Sequence, residues 1–245
     1  MKQQILPLAA LLVAGTAFTT TASAQTIIAS ADSYIDSGAQ STNFGSDSQL
    51  FLRGGSVAGG TVEKLYYQFD VGGILAAGEV FDGVELSITT NGSQGSSPSG
   101  FDWTLHGITD NNDSWTESTI TWNNAPKNDT SGTGVVSTGT ATLTNFTFAP
   151  VLAGSDTYTI SGAGLDEYLN WKAGAIADPY GNGAATDTVA TLIVTSNSNL
   201  LGRILSLEGT SLNEPQLSYT VVPEPSAFGA LVGAAAFALV LRRRR

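Results

Sequence analysis

Apolar residues alternate with polar ones along short segments of this chain, and this period of two constrains the fold more than any other feature. Leu65, Tyr67 and Phe69 fall on one face of an extended segment, and Leu86 and Ile88 do the same further along. Successive side chains of a strand point to opposite faces, so the pattern is typical of half-buried β-strands. Clusters rich in Asn, Gly, Ser and Pro separate these segments and predict turns.

The same pattern predicts ten short strands. They cover residues 26–35, 49–53, 64–71, 83–89, 101–109, 135–143, 157–160, 188–195, 203–207 and 216–221. Leu165, Tyr168 and Leu169 instead stand at i, i+3 and i+4, which predicts a short helix packed across an open end of the strands. We therefore predict an all-β fold, a two-sheet jelly-roll-type β-sandwich with one short helix. Without a repeat or linker, it forms one domain over 25–221.

The N-terminus has the features of a secretory signal peptide. Lys2 precedes an apolar stretch over 5–18, and Ala22-Ser23-Ala24 forms a small-x-small cleavage site. We expect residues 1–24 to be removed and the protein to be exported. The chain has no cysteine, so the exported domain has no disulfide and depends on its own core.

The predicted domain is strongly acidic. Between residues 25 and 222 there are 5 basic and 20 acidic side chains, a net charge of 5 − 20 = −15. Binding of nucleic acid needs clustered Lys and Arg, so we expect no nucleic-acid partner.

The C-terminus combines three elements. Pro223-Glu224-Pro225 is followed by an apolar run over 227–241, and Arg242, Arg243, Arg244 and Arg245 end the chain. The run has 15 residues, and with flanking groups it predicts a transmembrane helix over about 226–241, although an unstrained span takes about 20 residues. The arginines would hold their end on the cytoplasmic side. We expect the prolines to keep their segment extended and off any sheet.

This order closely resembles the PEP-CTERM sorting signal, here over 222–245. The resemblance implies an exosortase-type membrane protease as a partner, which recognises the Pro-Glu-Pro segment and removes the tail. It also implies anchorage in the inner membrane before processing. The protein would then reach the cell surface or extracellular matrix of a Gram-negative bacterium that makes exopolysaccharide.

Several stretches of the middle share the pattern of one known family. They are Ala31–Gly38 with Thr42-Asn43-Phe44-Gly45, Leu50–Arg53, Lys64–Val71, Asp113–Pro126, Ser206–Gly209 and Pro215–Leu217. Together they resemble the DNRLRE domain, a β-sandwich of secreted microbial proteins. Where that family often has Lys or Arg before the Glu of its late strands, this chain has Leu207. The resemblance implies kinship with carbohydrate-binding modules, some of which bind acidic polysaccharides.

The aromatic and basic residues define a candidate glycan-binding site. Trp115, Trp122 and Trp171 can stack on sugar rings if they are exposed, and Arg53 and Lys64 can contact an acidic polymer. The alternative is that the indoles fill the core, which is where large aromatic side chains usually lie. Exposure of the indoles in a groove would favour glycan binding, and their complete burial would favour a structural role.

Two acidic regions are candidates for a structural Ca²⁺ ion. Asp110, Asn112 and Asp113 supply hard oxygen ligands, although the spacing over 110–121 is not that of an EF-hand, and Asp32 lies near the first strand. A solvated turn cluster is the alternative.

No catalytic motif stands out. The single histidine, His106, has no nucleophile elbow or metal-ligand pair around it, and a carboxylate pair for glycoside cleavage is not marked by its spacing. We therefore predict a non-catalytic protein that binds extracellular polysaccharide. The alternatives are a structural or adhesive biofilm protein without a sugar site, or a polysaccharide-degrading enzyme.

Overall fold

A computed structural model describes residues 23–55, 60–91, 101–148, 155–209 and 214–224 of the chain. Most of the predicted signal peptide, and the C-terminal residues from 225 onward, lie outside these ranges. In the described part of the chain, no helix has the length and apolar character needed to cross a membrane.

Eleven strands and one helix make up the described residues. They are β1 Gln25–Ile28, β2 Ala31–Asp36, β3 Gln49–Leu52, β4 Glu63–Asp70, β5 Glu79–Thr89, β6 Phe101–Ile108, β7 Thr140–Phe148, β8 Thr157–Ser161, α1 Ala163–Lys172, β9 Val189–Ser196, β10 Gly202–Leu205 and β11 Gln216–Pro223.

The strands form two large antiparallel sheets. One has the order β1-β11-β5-β8 and the other β2-β4-β9-β6-β7, while β10 and β3 form a separate pair. Single bridges join this pair to both sheets, from Arg53 to Glu63 and from Thr90 to Ile204. The predicted all-β sandwich with one short helix is confirmed.

The main core lies between the two sheets. Leu65, Tyr67 and Phe69 of β4 face Leu86 and Ile88 of β5, and all five are fully buried. The alternation in the sequence therefore marks the inner faces of these strands correctly. Their burial drives the pairing of the two sheets, because apolar area removed from water is the main stabilising contribution.

A second core lies on the outer face of the five-stranded sheet. Residues 109–139, which we call the tryptophan segment, cover Tyr66 and Ile193 with Trp115, Ile120 and Trp122. Both faces of β4 are consequently buried, whereas its alternating sequence is typical of a strand with one face in solvent.

Helix α1 packs against β5, β7 and β9, strands that belong to both sheets. Leu165 and Leu169 enter the main core, as the helical spacing predicts. Asn170 accepts the backbone N–H of Phe81 at 2.7 Å and donates to its carbonyl at 2.9 Å, so the helix satisfies backbone groups of β5.

Several predictions about strand limits are wrong. The strand predicted over 135–143 lies instead at Thr140–Phe148. The predicted strand over 26–35 is broken at Ala29 and Ser30, whose amides bond Pro215 and Gln68, because the chain crosses there from one sheet to the other. Pro223 does not lie off any sheet, since it ends β11 opposite Glu79. Strand β1 pairs only with Gln216–Tyr219 of β11, so a proline beyond that point removes no bond to β1.

Candidate functional site

The indole rings of the tryptophan segment face the sheet. Trp115 meets Tyr66 edge to face at 6.0 Å, and its Nε1 donates to the Thr191 hydroxyl at 3.2 Å. Trp115 is 9% exposed and Trp122 is 1% exposed. Neither ring offers the open face that stacking on a sugar requires.

Lys64 lies under the same segment. Its ammonium stands 4.6 Å from the centre of the Trp122 ring and donates to the Asn128 side chain, the Asp129 carbonyl and the Gly134 carbonyl at 2.6–2.8 Å. Burial lowers the pKa of Lys64 to about 8. Lys64 therefore holds the segment in place from inside and does not reach solvent.

Trp171, on α1, is 1% exposed, and its Nε1 donates to the Gly183 carbonyl at 3.2 Å. Tyr180 packs edge to face against its ring at 5.5 Å. The neighbouring Lys172 is also buried between Asp113 and Asp187.

The structure thus does not gather the predicted glycan-contacting residues into one surface. The three indoles and Lys64 are buried, which favours the alternative that the indoles are core residues. Arg53 is 32% exposed but is engaged by Glu63 at 3.1 Å. A period of two shows which residues share a face, but not which segment covers that face.

A groove of about 320 Å³ runs along β6 and β7 on the uncovered end of the five-stranded sheet. Its lining consists of Asp102, Trp103, Thr104, Asn145, Phe146, Thr147 and Asn197. Because Trp103 points into the core, Asp102 and Thr104 project from the opposite face of β6.

Two cross-strand hydrogen bonds organise the polar side of this groove. Thr104 donates to Asn145 at 2.9 Å, and Thr147 donates to Asp102 at 2.9 Å. Asp102, Asn145 and Thr147 remain exposed, so they keep hydrogen-bonding capacity for a ligand. Half-buried Phe146 packs against Trp103, so its ring lies on the core side of β7 and away from these polar groups. The period-two pattern predicted strand β6. It gave no reason to choose Asp102 as a candidate ligand-binding residue over other polar positions on the strands.

The predicted calcium ligands separate into two places. Asp110 pairs with Lys127, and Asp113 pairs with Lys172 at 2.7 Å, so lysines already neutralise both carboxylates. Asn112 is exposed, and its backbone N–H donates to Asp110 at 3.3 Å. Asp32 lies elsewhere, on the edge strand β2.

At Asp32 three carboxylates converge. One oxygen each of Asp32, Glu117 and Glu208 lies within 4.8 Å of the other two. Burial, with the nearby charges of Glu208 and Glu117, raises the pKa of Asp32 to about 8 against the lowering effect of the Leu207 N–H. Neither Glu117 nor Glu208 is among the metal ligands predicted from the sequence. Glu117 and Glu208 each lie in a stretch that carries the family resemblance, as Asp32 does. That shared resemblance is the sequence feature that could have grouped the three acids.

The sequence model of carbohydrate-binding module family 96 matches residues 23–148, slightly more than half of the 245-residue chain. This chain belongs to that family. No curated protein matches the chain significantly.

Membership of carbohydrate-binding module family 96 confirms the predicted relation to carbohydrate-binding modules. The match runs from β1 to the end of β7 and includes the tryptophan segment and most of the β6–β7 groove. It says nothing specific about the DNRLRE domain or the PEP-CTERM signal, which stay predictions.

A binding function agrees with the setting of His106. The imidazole is 9% exposed and lies within hydrogen-bonding distance of the Thr195 hydroxyl, at 3.0 Å, and of the Thr142 hydroxyl, at 3.4 Å. Burial and the charge of Lys64 lower its pKa to about 4. The ring thus lies among Thr142, Thr195 and Lys64 of the five-stranded sheet.

Proposed function

We propose that this protein is an exported, non-catalytic glycan-binding sandwich of the cell surface or exopolysaccharide matrix. Membership of carbohydrate-binding module family 96 over residues 23–148 is the observation that carries the proposal. Modules of this class bind carbohydrate without cleaving it, so we assign the chain no catalytic role.

We place the glycan in the β6–β7 groove. Its exposed carboxylate, amide and hydroxyl groups, on Asp102, Asn145 and Thr147, match the hydrogen-bonding needs of sugar hydroxyls. A volume of about 320 Å³ lies at the small end of ligand pockets, so the groove suits a short stretch of a polymer.

The charges around the groove favour a neutral glycan. The groove lining includes Asp102 and no basic side chain, and the domain carries a net charge of −15. Arg53, Lys64 and Lys172 do not form a basic surface patch, because both lysines are buried and Arg53 is paired with Glu63. An acidic polymer would need a bridging cation to overcome the repulsion.

Binding of the full-length chain to neutral and acidic exopolysaccharides, by affinity electrophoresis, tests this proposal. The double variant Asp102→Ala/Asn145→Ala should bind about tenfold more weakly, because it removes two hydrogen-bonding groups. Thr159→Ala is the matched control, since Thr159 is an exposed strand residue of the other sheet. Equal binding by the double variant and the control would exclude the groove as the site.

A structural or adhesive matrix protein without a sugar site is the second candidate. Burial of Trp115, Trp122 and Trp171 favours it, because no described tryptophan ring presents an open stacking face. Failure of the wild-type chain to bind any polymer of its own matrix would support this candidate over the first.

We also propose that the C-terminal segment is a sorting signal read by an exosortase-type protease. Strand β11 ends at Pro223, and the Glu224 N–H bonds the Gly78 carbonyl at 2.7 Å, so the motif begins where the sandwich ends. In the native host, replacement of Pro223, Glu224 and Pro225 by alanine should leave the tail uncut and the protein membrane-bound. A tail cut normally in this variant, measured by immunoblotting of cell fractions, would argue against the proposal.

A further inference from the structure

The three carboxylates at the edge of β2 come from distant parts of the chain. Asp32 is on β2, Glu117 is in the tryptophan segment, and Glu208 is in the turn after β10. Asp32 is fully buried, Glu117 is half-buried and Glu208 is exposed. The cluster therefore opens to solvent on the side of Glu208.

The backbone holds two of these carboxylates in place. The Asp32 N–H donates to Glu117 Oε1 at 2.9 Å, and the Leu207 N–H donates to Asp32 Oδ2 at 2.9 Å. Asn43 fixes the chain around Glu117 by donating to its carbonyl at 2.6 Å and to the Ile120 carbonyl at 2.8 Å. These bonds orient the carboxylates without neutralising them.

One oxygen in this cluster lacks a partner. Asp32 Oδ1 is buried and accepts no hydrogen bond from the described residues. A buried, unpartnered carboxylate oxygen is costly, and a proton, a bound water molecule or a cation removes that cost. This observation points to a ligand independently of the clustering itself.

Four of the five described basic side chains contact groups outside the cluster. Arg53 pairs with Glu63, and Lys127 pairs with Asp110. Lys172 pairs with both Asp113 and Asp187. Lys64 donates hydrogen bonds to the tryptophan segment. Arg203 stands over the Phe51 ring. None of the ion pairs of Arg53, Lys127 and Lys172 thus involves a carboxylate of this cluster.

We propose that Asp32, Glu117 and Glu208 bind one Ca²⁺ ion. The ligand set is all oxygen, which suits a hard cation and not zinc or copper. Ligands on opposite sides of Ca²⁺ lie up to about 4.6–5.2 Å apart, so the 4.8 Å limit of this cluster fits one ion of that size. Water completes the coordination on the open side.

The ion would join three segments that sequence separates widely. It would fasten the tryptophan segment and the turn after β10 to the edge of the five-stranded sheet. Its role is structural and does not depend on whether the β6–β7 groove binds glycan.

Calcium titration of the full-length chain, followed by calorimetry and thermal unfolding, tests this assignment. With Ca²⁺ at about 100 times its Kd, Tm should rise by about 5–10 °C over the value in EDTA. Glu208→Gln, at an exposed position that tolerates substitution, should weaken Ca²⁺ binding at least about tenfold. Asp32→Asn should do the same.

Glu85→Gln is the matched control, because Glu85 is an exposed acid on β5 that loses the same charge. It should bind Ca²⁺ as the wild type does. The assignment is overturned if the wild type shows no Ca²⁺-dependent rise in Tm, or if Glu208→Gln and Glu85→Gln bind the ion equally. A protonated Asp32 would give the first of these results.

Discussion

The ammonium of Lys172 lies 2.7 Å from the carboxylate of Asp113, and both side chains are buried. Asp187 approaches the same ammonium at 3.0 Å but is 42% exposed. Burial raises the pKa of Asp113, and the bond from Lys172 opposes that rise. This pair joins the end of α1 to the start of the tryptophan segment, and so connects the two cores.

Removing the cation of this pair should destabilise the fold. Lys172→Met leaves Asp113 buried without its charge partner, and we expect the free energy of unfolding to fall by about 3–5 kcal/mol. Asp187→Asn should cost about 1 kcal/mol or less, because that carboxylate is partly solvated. Urea denaturation measures both, and equal losses would show that the buried pair has no special role.

Truncation of Trp122 should affect stability and not glycan affinity. Trp122→Ala removes a fully buried ring from the outer core, which should cost about 3–5 kcal/mol. Trp122→Phe should cost less, since it keeps an aromatic ring, and the Trp122 indole N–H has no partner among the described residues. Glycan affinity of the folded fraction, measured at low temperature, should stay unchanged. A lower glycan affinity together with unchanged stability would show that Trp122 belongs to the glycan-binding site.

Gly45 should tolerate no side chain. A Cβ at this position would lie 2.1 Å from the Glu117 carbonyl oxygen, so Gly45→Ala pushes the tryptophan segment outward. We expect a loss of about 1–3 kcal/mol and weaker Ca²⁺ binding through Glu117.

Gly134→Ala is the control for that variant, because nothing lies within 4 Å of its Cβ position. Its stability should stay within about 0.5 kcal/mol of the wild type. Similar stability of the two variants in thermal unfolding would contradict the close approach at Gly45.

His106 should make the protein less stable in acid. Its pKa is about 4 in the folded state against an ordinary 6.5, so the unfolded chain binds the extra proton first as pH falls. Stability from this group is complete above about pH 6.5 and is lost progressively toward pH 4. Lys64, whose charge faces the ring, and the hydroxyls of Thr195 and Thr142 surround it.

Comparison with His106→Gln isolates this contribution. Between pH 7 and pH 4.5 the wild type should lose about 2–3 kcal/mol more than the variant, because other acids titrate alike in both. Denaturant unfolding at the two pH values measures the difference. If the wild type and the variant lose the same free energy of unfolding, His106 is protonated in the folded state as readily as in the unfolded chain.

The sequence by itself determined the fold class and the inner faces of the strands. Leu65, Tyr67 and Phe69 face the core as their spacing requires, and Leu165 and Leu169 do so on the helix. These features depend on local periodicity, which each segment carries alone. The relation to carbohydrate-binding modules was likewise readable from contiguous stretches.

Only the tertiary structure decided what covers each face and which distant residues meet. Tyr66 and Lys64 have the same sequence context as solvated positions, yet the tryptophan segment buries them. Glu117 bonds Asp32 across 85 residues, and Glu208 joins them from near the other end of the domain. Such contacts arise from the packing of sheets and loops against one another, and a one-dimensional pattern does not encode them.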